Sequence, residues 1–325
     1  GTILNTAQGV VIEVEGEEPS VHSFIDILRS SPPPLARITS LLQQQRSSLK
    51  GFKEFSILKS VSSQHSLALI PADIALCKDC LEDILDPYNR RFSYPFTNCT
   101  NCGPRFTIVE TIPYDRPGTS MKHFPLCSEC RVEYEDPGNR RFHAQPNACA
   151  ECGPELLYHD ANGVQIETSS PLEEVANSLK QGNIVAMRGL GGFHLVVDAR
   201  SEQAVARLRR RKGRKSKPLA VMTASLEEVN TFCLLHSEEA KLLQGVEHPI
   251  VLLPRKTSSL AEVLTPGIAE IGVMLPYTPL HQLLFQYPDC PRTLVMTSGN
   301  RSGAPIFTAN EAAVAGLQGI ADCFL

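Results

Sequence analysis

The sequence predicts a multidomain α+β chain: a small α/β sandwich, then two four-cysteine modules, then an α/β domain with a mixed twisted sheet. Three observations predict it. The first stretch reads strand, strand, helix, strand, strand. Eight of the 11 cysteines fall in four Cys-x2-Cys pairs in the middle. After Gly163 the pattern changes to alternating helices and strands. The 325 residues suit two or three domains at roughly 100–200 residues each. With 42% hydrophobic and 20% charged residues the chain is no disordered tail. A net charge of −4 argues against a chain that binds nucleic acid generally, though a local basic patch stays open. No apolar run reaches the ~20 residues of a membrane helix, and no charged-then-apolar leader opens the chain. A cytoplasmic protein without a membrane partner is expected. The chain starts without Met and stops in the middle of an apolar pattern, so we expect a fragment of something longer.

Residues 2–5 read as a short strand. Gln8-Gly9 is a turn signal, and residues 10–15 alternate as a second strand ended by Gly16. Val21, Phe24, Ile25 and Leu28 fall at helical spacing behind Ser20, a good N-cap residue. Pro32-Pro33-Pro34 stops that helix. Further strands are expected at residues 35–38 and 55–58.

The cysteine pairs are Cys77/Cys80, Cys99/Cys102, Cys127/Cys130 and Cys149/Cys152, with 18 residues between pairs in each half and 24 between the halves. Two such knuckles close a tetrahedron around Zn²⁺ with Zn–S near ~2.3 Å, and this spacing is the sequence form of that site. Two structural zinc ions are therefore expected. Disulfides would need an oxidising compartment that nothing else here supports. A redox Cys-x2-Cys would stand once, beside a βαβ pattern. Cys233, Cys290 and Cys323 sit in apolar company and read as small core residues.

The two halves repeat at an offset of 50. Asp86-Pro87-Tyr88-Asn89-Arg90-Arg91-Phe92 returns as Asp136-Pro137-Gly138-Asn139-Arg140-Arg141-Phe142, and both halves close Cys-Gly-Pro. His143 has no counterpart, since Ser93 stands there, so four thiolates per metal suffice. Spacing leaves open whether each half ligates its own metal or the outer pairs join the inner ones. It also leaves open two roles for Arg90, Arg91, Arg140 and Arg141. They offset a site charge of about −2, or they form a solvated basic face. This region has few long apolar runs, so metal must supply much of its folding energy. Structural zinc does no chemistry by itself, which places any activity elsewhere.

In the last part, Pro171 starts a helix behind Ser170. Leu172, Val175, Ala176 and Leu179 make its apolar stripe, and Gly182 ends it. Residues 184–187 are a buried strand running into Gly189-Leu190-Gly191-Gly192-Phe193-His194. Those glycines lack the spacing of a dinucleotide site, and His194 reads as a packed histidine. Ser201 caps the next helix, which carries Val205 and Leu208, and strands are expected at residues 219–222, 250–253 and 294–297. Two features could carry chemistry. Eight of the eleven residues at 207–217 are basic, running off a helix with Gly213 leaving room for close approach. A polyphosphate site or a solvated, RNA-contacting face both fit. Thr297-Ser298-Gly299-Asn300-Arg301-Ser302-Gly303 follows an apolar strand and could offer hydroxyls and backbone N–H groups to phosphate, or be an ordinary loop.

Family resemblances add to this reading. Gly1-Thr2-Ile3-Leu4-Asn5 followed by Gly9-Val10-Val11-Ile12 resembles the second half of an acylphosphatase domain. That resemblance implies that Asn5 orients an attacking water, with the phosphate-gripping Arg on an earlier loop. Lys212, Arg214 and Lys217-Pro218-Leu219, taken with Ser298-Gly299-Asn300, resemble the YrdC-type nucleotide-binding domain. Its members join a carbamoyl-like acid to AMP and release pyrophosphate. The resemblance implies that Lys212, Arg214 and Lys217 hold phosphates, with Thr297, Ser298 and Asn300 beside them.

The order of parts is similar to the HypF family, the carbamoyltransferases of nickel–iron hydrogenase maturation. Tyr94-Pro95-Phe96-Thr97-Asn98-Cys99, Pro113-Tyr114-Asp115-Arg116-Pro117 and Arg141-Phe142-His143-Ala144-Gln145-Pro146 carry that likeness. It implies a partial acylphosphatase-like domain at 1–65, a twin zinc-finger region at 72–155 and a YrdC-like domain at 165–325. It further implies a relay. Carbamoyl phosphate is hydrolysed to carbamate, carbamate and Mg-ATP give carbamoyl-adenylate and pyrophosphate, and a further domain passes the carbamoyl group to the C-terminal Cys thiol of HypE. For this chain the expectation is at most the adenylation step. The rivals are a threonylcarbamoyl-adenylate synthase of tRNA modification and a non-catalytic RNA- or protein-binding zinc module.

Overall fold

The computed structural model describes residues 1–6, 9–46, 48–58, 70–112, 114–257 and 260–325, with Asn5 described in its backbone only. Gln8, at the expected first turn, and Pro113, in one of the motifs above, lie outside the described residues. The chain forms two compact units, 1–70 and 71–325.

Among the described residues the first unit is a three-stranded sheet with one helix. Strand β1 (Thr2–Thr6) pairs antiparallel with β2 (Gly9–Glu13) and parallel with β3 (Ser56–Ile57), in the order β2-β1-β3. Helix α1 (Glu18–Ser30) keeps Val21, Phe24, Ile25 and Leu28 as its half-buried stripe, as the spacing requires. Its start differs from expectation. Glu17 is the N-cap and Ser20 already lies in the first turn. Pro19 sets this start, because a proline in the first turn lacks only an N–H that would have no intrahelical partner. No strand forms at residues 35–38. The prolines remove donors, and Ala36 N instead donates to Pro33 O in a turn.

The second unit holds the cysteines and the α/β layers together. Helices α2 (Lys78–Leu85) and α3 (Ser128–Glu135) open the two cysteine modules. There follow β4 (Tyr158–Asp160), β5 (Gln165–Ile166), α4 (Pro171–Lys180), β6 (Val185–Gly189), β7 (Gly192–Asp198) and α5 (Glu202–Lys212). Next come β8 (Val221–Thr223), α6 (Leu226–Phe232), α7 (Ser237–Leu243), β9 (Val251–Pro254) and β10 (Glu270–Met274). Helix α8 (Pro279–Leu284), β11 (Thr293–Ser298), α9 (Asn310–Leu317) and β12 (Cys323–Phe324) complete it.

The nine strands form one mixed sheet in the order β5-β4-β12-β6-β7-β11-β8-β10-β9. The pairs β12·β6 and β10·β8 are parallel and the rest antiparallel. Side chains alternate between two cores, as a period of two demands. On one face Ala186, Leu195, Val197, Val221 and Val295 meet Val205 and Leu208 of α5, Phe232 of α6 and Leu317 of α9. On the other, Val185, Met187, Val196, Leu294 and Met296 meet α4 and α8. Ile84 of α2 is fully buried in that second core, so the first cysteine module is packed into the α/β layers. Backbone bonds from Ala75 N to Val246 O and from Leu76 N to Tyr277 O fasten the same junction. Cys233, Cys290 and Cys323 are buried core residues, as expected.

Candidate metal centres and nucleotide site

Each cysteine module gathers its own four thiols. The Sγ atoms of Cys77, Cys80, Cys99 and Cys102 all lie within 4.8 Å of one another, and so do those of Cys127, Cys130, Cys149 and Cys152. The thiols therefore gather within each half and not across the repeat. The separations are 3.6 Å for Cys77···Cys99, 3.9 Å for Cys99···Cys102 and 3.8 Å for both Cys127···Cys149 and Cys149···Cys152. A tetrahedron with Zn–S near ~2.3 Å has an edge of about 3.8 Å, so the sulfurs already stand where zinc needs them. A disulfide would need about 2.05 Å, and all eleven cysteines are free.

Local structure explains the placement. Cys77 and Cys127 are the N-cap residues of α2 and α3, and Cys80 and Cys130 sit one turn in. Helix N-termini favour thiolates there. The second pair of each module lies on a tight turn, where Asn101 N donates to Cys99 Sγ at 3.3 Å. Gly103 closes the first turn with φ 93, a conformation that favours glycine. His143 is no ligand. It packs against the rings of Tyr134 and Phe142, and its left-handed backbone (φ 50) matches that of Ser93 (φ 55).

The arginine pairs reach across the repeat. Arg90 Nη2 donates to Cys127 Sγ at 3.3 Å and Cys149 Sγ at 3.2 Å, and Nη1 to Cys130 Sγ at 3.5 Å. Arg140 Nη1 donates to Cys80 Sγ at 2.9 Å. Arg91, 1% exposed, pairs with Glu133 and donates to Cys130 Sγ at 3.4 Å. Arg141, 5% exposed, pairs with Asp83. Arg91 and Arg141 are thus no solvated face, and Arg90 and Arg140, though partly in solvent, spend guanidinium N–H groups on thiol sulfurs. The acids Asp83 and Glu133 escaped the sequence reading. Their signal was present, since they occupy the same position of the 50-residue repeat.

In the α/β layers, the end of α5 meets the turn after β11. Lys212 is 3% exposed. Its Nζ donates to Ser298 O, to Asn300 O at 2.8 Å and to Asn300 Oδ1 at 2.6 Å. All three ammonium hydrogens are thus spent on the turn. Burial, with Arg214 adding repulsion, pushes the Lys212 pKa down to about 8. Arg214 Nη1 reaches Thr297 Oγ1 at 3.4 Å, and Ser298 Oγ donates to Asn300 Oδ1 at 2.8 Å. Gly299 N donates to Phe193 O at 2.6 Å, and an added Cβ at Gly299 would stand 2.6 Å from that same oxygen. The structure so brings together Lys212, Arg214, Thr297, Ser298 and Asn300. Lys217 is exposed and its ammonium has no partner among the described residues.

The basic run is not one patch. Arg209 is buried and donates to the carbonyls of Val263, Leu264, Arg214 and Lys217. Arg207 holds Gly182 O, and Arg211 pairs with Asp322. Only Arg210, Lys215 and Lys217 of the eight are exposed, which weakens the RNA-contacting alternative. Gly213 serves the helix end as the left-handed C-cap of α5 (φ 70). The glycines at 189–192 form the turn of the β6–β7 hairpin, with Gly189 opposite Gly192. His194 lies opposite Ser298 in the sheet, and its buried Nδ1 has no partner among the described residues. Behind it His281 is 1% exposed with both ring nitrogens lacking a hydrogen-bond partner among the described residues, and burial, with His194 nearby, pushes its pKa down to about 3. Asn5 sits in β1 opposite Val10; its side chain lies outside the described residues. Among the described residues no helix is long and apolar enough to cross a membrane.

Comparison with known proteins follows the same division. Residues 1–57 match the acylphosphatase family, 76–109 and 126–158 the HypF finger, and 177–325 a family described as telomere recombination, the Sua5, YciO and YrdC group. The chain is 46% identical over its whole length to carbamoyltransferase HypF2 of Cupriavidus necator, of which it spans 42%. It is 45% identical to the crystal structure of full-length HypF in the phosphate- and nucleotide-bound form, with a TM-score of 0.90, covering all of this chain and 42% of that one. Threonylcarbamoyl-AMP synthase of Bacillus subtilis is 27% identical over 160 residues, covering 48% of this chain and 46% of that protein. The finger match and the two four-thiol clusters support zinc in both modules. Spanning less than half the length of its relatives, with acylphosphatase-like, zinc-finger and YrdC-like parts in that order, the chain belongs to the HypF carbamoyltransferase family.

Proposed function

We propose that this chain binds ATP at the junction of α5 and the turn after β11 and forms carbamoyl-adenylate there. The observation that carries the reading is the seating of Lys212 and Arg214 against Thr297, Ser298 and Asn300 at one end of the sheet. Ligands of α/β sheets collect at such strand ends. Lys212 fixes the turn and adds positive charge beside it, and Lys217 offers a free ammonium at the rim. In the step itself a carbamate oxygen attacks the α-phosphorus of ATP. The bond from that phosphorus to the β-bridging oxygen breaks, and pyrophosphate leaves. Carbamate is already anionic, so the chain's task is positioning and charge stabilisation, with no general base required. Magnesium bound with the ATP would share the pyrophosphate charge.

Within the whole protein, we place this step between two others. Residues 1–65 belong to the acylphosphatase-like domain that makes carbamate from carbamoyl phosphate, with Asn5 orienting the water. Residues 72–155 are the zinc-bearing scaffold, and 165–325 the adenylating domain. In the cytoplasm the C-terminal Cys thiol of HypE then attacks the carbamoyl carbon of the adenylate, the bond from that carbon to the phosphate oxygen breaks, and AMP leaves as the thiol gives up its proton. Carbamate decomposes in water, a physical reason to keep the steps on one polypeptide.

The test is AMP and pyrophosphate formation with Mg-ATP and carbamate, with threonine plus bicarbonate, and with no acid, each for wild type and Lys212→Ala. Release that needs carbamate and is lost in the variant supports the assignment. Release only with threonine moves the chain to threonylcarbamoyl-adenylate synthesis. No release and no ATP binding overturns the site.

A further inference from the structure

We infer that the two zinc centres are coupled through a reciprocal exchange of arginines, so that metal held at either centre raises metal retention at the other. The inference rests on both four-thiol clusters holding zinc. Three contacts of the clasp have repeat counterparts. Arg91 pairs with Glu133 while Arg141 pairs with Asp83. Arg91 Nε donates to Ala148 O at 2.9 Å while Arg141 Nε donates to Asn98 O at 3.2 Å. Arg90 reaches Cys130 while Arg140 reaches Cys80. Each pair differs by the repeat offset of 50, so the modules clasp each other about a pseudo-two-fold axis.

The chemistry gives the clasp a consequence for metal. Four thiolates around Zn²⁺ leave about −2, and N–H···S bonds from a guanidinium lower that charge at the sulfur. Arg90 gives such bonds to three thiolates of the second centre. Yet Arg90 is positioned by the first module. It lies on the turn after α2, held by Asn89 Nδ2 donating to Asp83 Oδ1 at 2.9 Å and by Arg91 N donating to Asn89 Oδ1 at 2.9 Å. Helix α2 begins with Cys77 and Cys80, so its first turn depends on the first metal. Emptying the first centre loosens α2, withdraws Arg90 and leaves the second centre with uncompensated charge. Arg140 makes the reverse connection through α3.

The experiment replaces zinc by ¹¹³Cd in the whole chain, giving one NMR resonance per centre, assigned by the single change Cys99→Ser or Cys149→Ser. Chelator-driven loss of each resonance is then followed in Arg90→Gln and Arg140→Gln. Arg90→Gln is expected to shift the resonance of the Cys127/Cys130/Cys149/Cys152 centre and speed its loss by about tenfold, the scale of other outer contacts to metal ligands. Arg140→Gln is expected to act on the Cys77/Cys80/Cys99/Cys102 centre. Loss that is absent, equal at both centres or larger at the arginine's own centre overturns the inference. If Arg90→Gln does not fold, Cys99→Ser decides alone: faster loss from the intact second centre supports coupling, and unchanged loss refutes it.

Discussion

Raising the pH is the sharpest probe of Lys212. Its pKa of about 8 sits well below the ordinary lysine value of 10.5 because the ammonium is buried and faces Arg214. At that value the side chain is roughly nine-tenths charged at pH ~7 and about one-tenth charged at pH ~9. If ATP affinity depends on that charge, it should fall by about tenfold across the interval, equivalent to ~1.4 kcal/mol. Fold stability should move the other way. Lys212 binds its proton less tightly folded than unfolded, so between about pH 8 and about pH 10.5 the unfolded chain holds more protons and stability rises with pH. Opposite signs separate lost binding from alkaline unfolding. The assay is nucleotide titration at constant ionic strength from pH 6.5 to 9.5, paired with a denaturant melt at each pH. Lys212→Met should bind weakly and show a flat profile over the upper range. A wild-type affinity that stays constant through pH 9, or a Lys212→Met profile that falls as steeply, would refute the reasoning.

Two further outcomes are expected. Ile84→Ala should cost about 2–4 kcal/mol of unfolding free energy, because this side chain of α2 is fully buried in the α/β core; urea melts measure it, and a cost below about 1 kcal/mol would deny that the first module shares that core. Gly299→Ala should weaken nucleotide binding at least tenfold while both metals stay bound, since the new Cβ would collide with Phe193 O at 2.6 Å and displace the turn; unchanged affinity would show that the turn is not part of the site.

The two four-thiol clusters were legible from sequence because thiolate geometry fixes residue type and spacing together. Pairing was not, since a Cys-x2-Cys knuckle carries no record of which other knuckle lies beside it. The arginine contacts were half legible. The Asn-Arg-Arg-Phe repeat marked the residues, but their partners are set by packing between modules and lie 37 or more residues away in the chain. Helix α4 followed from Pro171 and its apolar stripe. Strand β7 was hidden because Gly192 and His194 interrupt the apolar signal at its start, while β4, β5 and β12 are two or three residues long and leave no periodicity to read. The run at 207–217 shows the limit of counting charge. Arg207, Arg209 and Lys212 are fastened to carbonyls of other segments, a use of basic residues that composition cannot distinguish from a phosphate site.

The placement of β12 sets a clock on synthesis. This strand lies between β4 and β6, and the bond from Ile184 N to Asp322, the residue just before β12, spans 138 residues. The β4–β5 and β6–β7 hairpins therefore leave the ribosome before the strand that unites them exists. At typical elongation rates that gap is on the order of ten seconds. Throughout it two open sheet edges are bare on the nascent chain, the condition under which strands pair with the wrong neighbour. A chaperone that covers those edges until residue 325 emerges would raise the yield of folded protein without touching its final stability.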